Sequence, residues 1–146
     1  MPGSEPRRSG TPKEVRPELD QDLRDPLHLA RLCASILDAK KITDLEIFDV
    51  GESTTLTGFF VIGTGLSPRH LQSSADDLEK AMKDRGVRRL GLEGYRDGKW
   101  ILLDVGDVVI HLFLEEARSF YDLELLWGDA PRVDPGIGAE RAKSAP

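Results

Sequence analysis

Two residue types divide this chain before any motif is considered. All nine aromatic residues lie between Phe48 and Trp127, and eight of the nine prolines lie outside residues 27–130, Pro68 being the exception. A segment without aromatics has little large apolar surface to bury, and proline withholds a backbone donor from regular ladders. Residues 1–26 and 131–146 are therefore expected to be disordered tails, and residues 27–130 to form one domain. About one hundred residues are enough for one modest core. The tails nearly balance their charges, with 5 basic and 6 acidic residues in front and 3 and 2 behind. The central 12 basic and 18 acidic residues carry the whole net charge of −6.

These numbers exclude several classes. An acidic domain repels phosphates, so little direct nucleic-acid binding is expected. No apolar run approaches the ~20 residues of a membrane span. The N-terminal arginines Arg7, Arg8 and Arg16 are followed by no apolar stretch, and they are interspersed with Glu5, Glu14, Glu18 and Asp20. Neither a secretory signal nor a transit peptide reads this way. A cytoplasmic protein is the expectation. The single cysteine, Cys33, excludes an internal disulfide and a cysteine-rich zinc site.

Within the domain, Asp25-Pro26 reads as a cap followed by a first-turn proline. Leu29, Leu32, Cys33, Ile36 and Leu37 then form one helical stripe, on which Cys33 is a small core residue. Leu45–Val50 is strand-like, with Glu46 on a polar face. Phe59–Ile62 is a buried strand ahead of Gly63-Thr64-Gly65. Ser67-Pro68 repeats the cap-plus-proline signal, Leu71, Ala75, Leu78 and Met82 step along one helical face, and Gly86 ends that helix. Asp97-Gly98 separates two strand-like runs, and Val105-Gly106 turns the chain before Val108–Leu114. A short helix, Glu115 to Trp127, closes the domain. The expected fold is α/β: a mixed sheet of about five strands, three of them an antiparallel meander, packed with helices.

If both meander turns have two-residue loops, Tyr95 pairs with Trp100, Leu103 with Val108, Leu102 with Val109, and Trp100 with His111. Paired residues share a face. One face then carries Ile101, Leu103, Val108, Ile110, Leu112 and Leu114 and belongs to the core. The other carries Glu93, Tyr95, Trp100, Leu102, Val109, His111 and Phe113. Its mixture of aromatic, apolar and polar groups suits a protein interface. A helix of the same domain covers this face, or a partner does; the sequence leaves both open.

Catalytic patterns are incomplete. The Gly63–His70 turn lies where phosphates often bind, but Pro68 occupies the place of a fingerprint glycine, and no Gly-Lys-Ser/Thr follows. Gly65-Leu66-Ser67-Pro68-Arg69 lacks the final glycine of a nucleophile elbow. His28, His70 and His111 have no metal-ligand spacing. Asp104 and Asp107 flank a turn, where carboxylates commonly accept from backbone N–H groups. No nucleophile, base and orienter come together, so no enzyme, no metal and no cofactor are expected. A nucleotide-binding enzyme using the Gly63–His70 turn with Asp104 or Asp107 is the alternative.

Longer motifs then become recognisable. Phe60-Val61-Ile62-Gly63-Thr64-Gly65-Leu66-Ser67-Pro68-Arg69-His70 resembles the signature of the ribosomal silencing factor (Iojap) family. So do Gly91-Leu92-Glu93-Gly94, the run from Trp100 through Asp104-Val105-Gly106-Asp107 to His111, Arg118-Ser119-Phe120-Tyr121-Asp122-Leu123-Glu124, and Leu126-Trp127-Gly128-Asp129-Ala130. The resemblance spans residues 27–130; Gly58 and Pro68 depart from its usual residues. It implies a nucleotidyltransferase-like topology without the catalytic residues. It further implies binding to the large ribosomal subunit through large-subunit ribosomal protein fourteen, with a steric block to subunit joining that represses translation. A homodimer in isolation is also implied. Carried onto this sequence, the docking face comprises Tyr95, Trp100, Leu102 and His111, bordered by Arg118 and Tyr121.

Overall fold

A computed structural model describes residues 17–121 and 129–137, without the side chains of residues 119–121. For residues 1–16 and 138–146 the expected tails lie outside the described residues, as does the 122–127 part of the expected closing helix.

The chain forms α1 (Pro26–Ala39), β1 (Thr43–Asp49), β2 (Phe59–Gly65), α2 (Pro68–Asp84), β3 (Gly91–Glu93), β4 (Trp100–Asp104), β5 (Val108–Leu114), α3 (Glu115–Tyr121) and β6 (Arg132–Val133). The strands make one sheet in the order β3-β4-β5-β2-β1-β6. It is mixed: β2 and β5 run parallel, from Phe59↔Val108 to Gly65↔Leu114, and the other neighbours are antiparallel. The six strands among the described residues agree with the expected mixed sheet of about five.

Both main helices start as their sequences dictate. The Asp25 carboxylate accepts from Leu27 N–H at 3.0 Å and Pro26 takes the first turn. The Ser67 hydroxyl accepts from His70 N–H at 3.0 Å and Pro68 follows. Each cap contributes about 1 kcal/mol. Leu29, Cys33 and Leu37 of α1 and Leu71, Ala75, Leu78 and Met82 of α2 are buried. They pack on one sheet face against Ile47, Val61, Ile101, Leu103, Ile110 and Leu112. Cys33 is a small core residue, its Sγ 3.9 Å from Met82 Sδ. Gly86 ends the α2 segment at φ 82°, a conformation that disfavours a side chain.

The folded unit exceeds the expected 27–130 boundaries. Leu23, in a single 3₁₀ turn (Gln21–Arg24), is buried against the core. Arg132 and Val133 pair with Phe48 and Ile47, and Asp49 N–H donates to Pro131 O at 2.8 Å. Two residues between prolines carry no strand signal of their own; here the open edge of β1 supplies the ladder.

The β4–β5 register also differs from the two-residue expectation. Trp100 pairs with Phe113, Leu102 with His111 and Leu103 with Ile110, a displacement of two residues. The cause is the turn. Asp104 Oδ1 accepts from Gly106 N–H at 2.8 Å, Gly106 takes φ 97°, and Val105 N–H donates to Val108 O. Three residues, Val105 to Asp107, lie between the strands, and the turn is centred on Gly106-Asp107 instead of Val105-Gly106. Because the displacement is even, the assignment of faces survives.

Candidate docking face on the sheet

The sheet face opposite α1 and α2 carries a second apolar cluster. Phe48, Val50, Phe60, Ile62, Val109 and Phe113 are its buried members, and Trp100, Leu102, Ala117 and Ala130 pack on it partly buried. Pairing explains the assembly, because Phe48↔Phe60, Phe60↔Val109, Ile62↔His111, His111↔Leu102 and Phe113↔Trp100 all project to this side. Much of the face is covered within the chain, with Ala117 of α3 and Ala130 among its cover. Trp100 and Leu102 are half-buried on β4.

His111 is the polar centre of this apolar face, with only 6% of its surface exposed. Its Nδ1 accepts from the Trp100 indole N–H at 3.1 Å. An indole nitrogen can only donate, so the neutral imidazole carries its proton on Nε2. That nitrogen is buried without a hydrogen-bond partner among the described residues. The Phe60 ring stands edge-on at 4.8 Å and the Phe113 ring lies parallel at 6.1 Å. Phe113 also packs against Trp100, with centroids 4.9 Å apart. Burial among these rings lowers the His111 pKa from 6.5 to about 4. Charging the ring here would forfeit water that nothing replaces.

Two of the expected docking residues do other work. Tyr95 does not share the face of Trp100. The β3–β4 register is the expected one, with Glu93 opposite Leu102, but pairing stops at Glu93. Gly94 at φ 75° and Gly98 at φ 70° turn the chain, with Gly98 N–H donating to Gly94 O. Tyr95 is carried to the α2 side, where its hydroxyl donates to Asp76 Oδ2 at 2.9 Å. A side chain at residue 94 would run into the Trp100 carbonyl, so only glycine permits this exit.

Arg118 faces inward. Its guanidinium donates to Thr64 Oγ1 at 2.7 Å, Asp44 O at 2.9 Å and Glu46 Oε2 at 2.8 Å, which ties α3 to β1 and β2. The Asp44 carbonyl is offered at an irregularity in β1, between Thr43 and Glu46, where Asp44 adopts φ 51°. Arg132 completes the cluster, 3.2 Å from Glu46 Oε1 and 5.3 Å from the Phe48 ring centre. For Tyr121 the helical backbone is described and its side chain is not. Sequence reasoning missed Arg132, Glu46 and Thr64; the polar position of Glu46 within an apolar strand was their one signal.

The glycine-rich turn is built for packing. A side chain at Gly63 would meet Ile42 and Leu45, and one at Gly65 would meet Leu71. His70 Nδ1 accepts from Leu66 N–H at 2.9 Å, and its Nε2 donates to Lys40 O at 2.7 Å. His70 therefore locks the turn to the end of α1, and Ser67 is occupied as the cap. Among the described residues no group of three or more His, Cys, Asp or Glu is placed to hold a metal. No described helix is long and apolar enough to cross a membrane.

Comparison with known proteins adds to this geometry. The family described as "Ribosomal silencing factor during starvation" matches residues 23–146. A ribosomal silencing factor of Halalkalibacterium halodurans is 37% identical over 106 residues, covering 73% of this chain and 91% of that protein. One from Bacillus subtilis is 33% identical over 110 residues, covering 75% and 93%. The mouse protein named mitochondrial assembly of ribosomal large subunit protein 1 is 35% identical over 99 residues, 66% of this chain but 43% of that one. The crystal structure of a Chromobacterium violaceum protein superposes with a TM-score of 0.69 at 34% identity, covering 71% of this chain and 87% of that one. The match of 23–146 also takes in the Leu23 turn and the β6 segment that the fold unites with the sheet. The chain belongs to the ribosomal silencing factor family.

Proposed function

We propose that this protein represses translation by docking on the large ribosomal subunit, at large-subunit ribosomal protein fourteen, and sterically blocking the small subunit. The observation that carries the reading is the half-buried pair Trp100 and Leu102, held on one strand over a buried aromatic and aliphatic cluster. Aromatic anchors on a rigid support are what interface hot spots require. The −6 charge disfavours bare RNA, which directs the contact to a protein component. Such a plug needs no chemistry and no cofactor, and it acts in the cytoplasm where subunits meet. Its docking surface is narrower than the sequence alone suggests: Trp100 and Leu102 meet the partner, His111 supports them, and Arg118 braces α3. A homodimer formed through the same face would compete with docking.

The reading is tested by co-sedimentation of the protein with purified large subunits. Trp100→Ala should weaken binding by about 2 kcal/mol, roughly thirtyfold. Unchanged binding by a folded Trp100→Ala protein would refute the anchor.

A further inference from the structure

We infer that His111 is a positioning residue that fixes the Trp100 indole and, by occupying its only donor, commits that ring to an apolar contact. The inference rests on the docking reading above. Four observations converge on it. Trp100 Nε1–H donates to His111 Nδ1 at 3.1 Å. The indole also packs against the Phe113 ring, with centroids 4.9 Å apart. His111 itself is immobilised: it is buried, it pairs with Leu102 and Ile62 in the sheet, and its ring lies between those of Phe60 and Phe113. Finally, the arrangement leaves Nε2 buried with no hydrogen-bond partner among the described residues.

That last feature discriminates between roles. A buried donor with no acceptor is unfavourable, and a leucine or phenylalanine at this position would remove the cost. A side chain kept only for packing has no reason to be histidine. Among the described residues the one polar contact that histidine provides is the acceptor at Nδ1, and the donor it receives is that of the half-buried tryptophan. Holding the indole in one orientation before contact lowers the entropy lost on binding. An indole whose N–H is already bonded offers its partner an apolar edge and face. The surface facing Trp100 is therefore an aliphatic or aromatic side chain, not a carboxylate or carbonyl seeking a donor.

The test is a double-mutant cycle on the full chain, read as affinity for purified large subunits. His111→Phe keeps the ring and removes the acceptor; His111→Leu serves the same comparison if that variant does not fold. Loss of the acceptor should weaken binding about three- to tenfold, the value of one ordinary hydrogen bond. In a Trp100→Phe background, which has no indole N–H, the same change should have no further effect. His111→Asn, whose amide oxygen can take the place of Nδ1, should recover part of the loss. The indole N–H resonance of Trp100, assigned by its disappearance in Trp100→Phe, should move upfield in His111→Phe. An unmoved resonance, or an equal loss of affinity in both backgrounds, overturns the inference. If Trp100→Ala weakens binding and His111→Phe does not, this inference alone fails; if Trp100→Ala has no effect, the docking reading fails with it.

Discussion

Acidification should reveal His111 as a stability determinant through one specific difference. The ring is buried among Trp100, Phe60 and Phe113 with no acidic partner in contact among the described residues, and burial lowers its pKa from 6.5 to about 4. In the unfolded chain it returns to the ordinary value. Between these limits the unfolded state binds the proton more readily, so stability falls as pH falls. The contribution is complete above about pH 6.5 and is gone below about pH 4. The interval corresponds to about 3 kcal/mol, a large part of the margin of a domain this size. Protonation also converts the Nδ1 acceptor into a donor facing the indole N–H. The assay is urea unfolding of the wild type and of His111→Asn at a series of pH values from 4 to 8. Contributions common to the two proteins cancel in the difference. The wild type should lose about 3 kcal/mol more than the variant across the range. Parallel curves for the two proteins would refute the reasoning.

Two further outcomes follow from the same packing. Arg118→Met should lower stability by about 2 kcal/mol, because it leaves Glu46, Thr64 and the Asp44 carbonyl without their shared donor; thermal unfolding measures this, and a shift below about 1 °C would show that α3 is not braced there. Cys33 is buried and its thiol pKa is pushed up to about 12 by desolvation, so a thiol reagent should react with the denatured chain and scarcely with the native one; rapid native labelling at neutral pH would contradict the placement.

The parts of this fold that were legible in the sequence are those decided locally. Asp25-Pro26 and Ser67-Pro68 mark helix starts because capping is chemistry between near neighbours. The aliphatic face of the meander follows from alternation, which survived even a register error of two residues. Long-range features were hidden. Tyr95 alternates correctly with Trp100 on paper, yet Gly94 takes it out of the ladder, and a glycine's torsion is not written in the residues beside it. Arg118 reads as a surface cation; its inward role depends on the left-handed Asp44, which only the β1–β2 pairing creates. Arg132-Val133 becomes a strand only because β1 has an unpaired edge. For the docking face, sequence reading placed Trp100, Leu102 and His111 on one side but could not rank them. Burial separates the two half-buried side chains of the proposed docking face, Trp100 and Leu102, from the buried histidine.

The central claim is that this domain prevents subunits from joining by occupying one of them. Purified large and small ribosomal subunits, mixed under joining conditions and sedimented with increasing amounts of the protein, test it directly. The joined fraction should fall as the protein is added, the protein should travel with the large subunit, and Trp100→Ala should require a correspondingly higher concentration. A joined fraction unchanged at saturating wild-type protein would contradict the account.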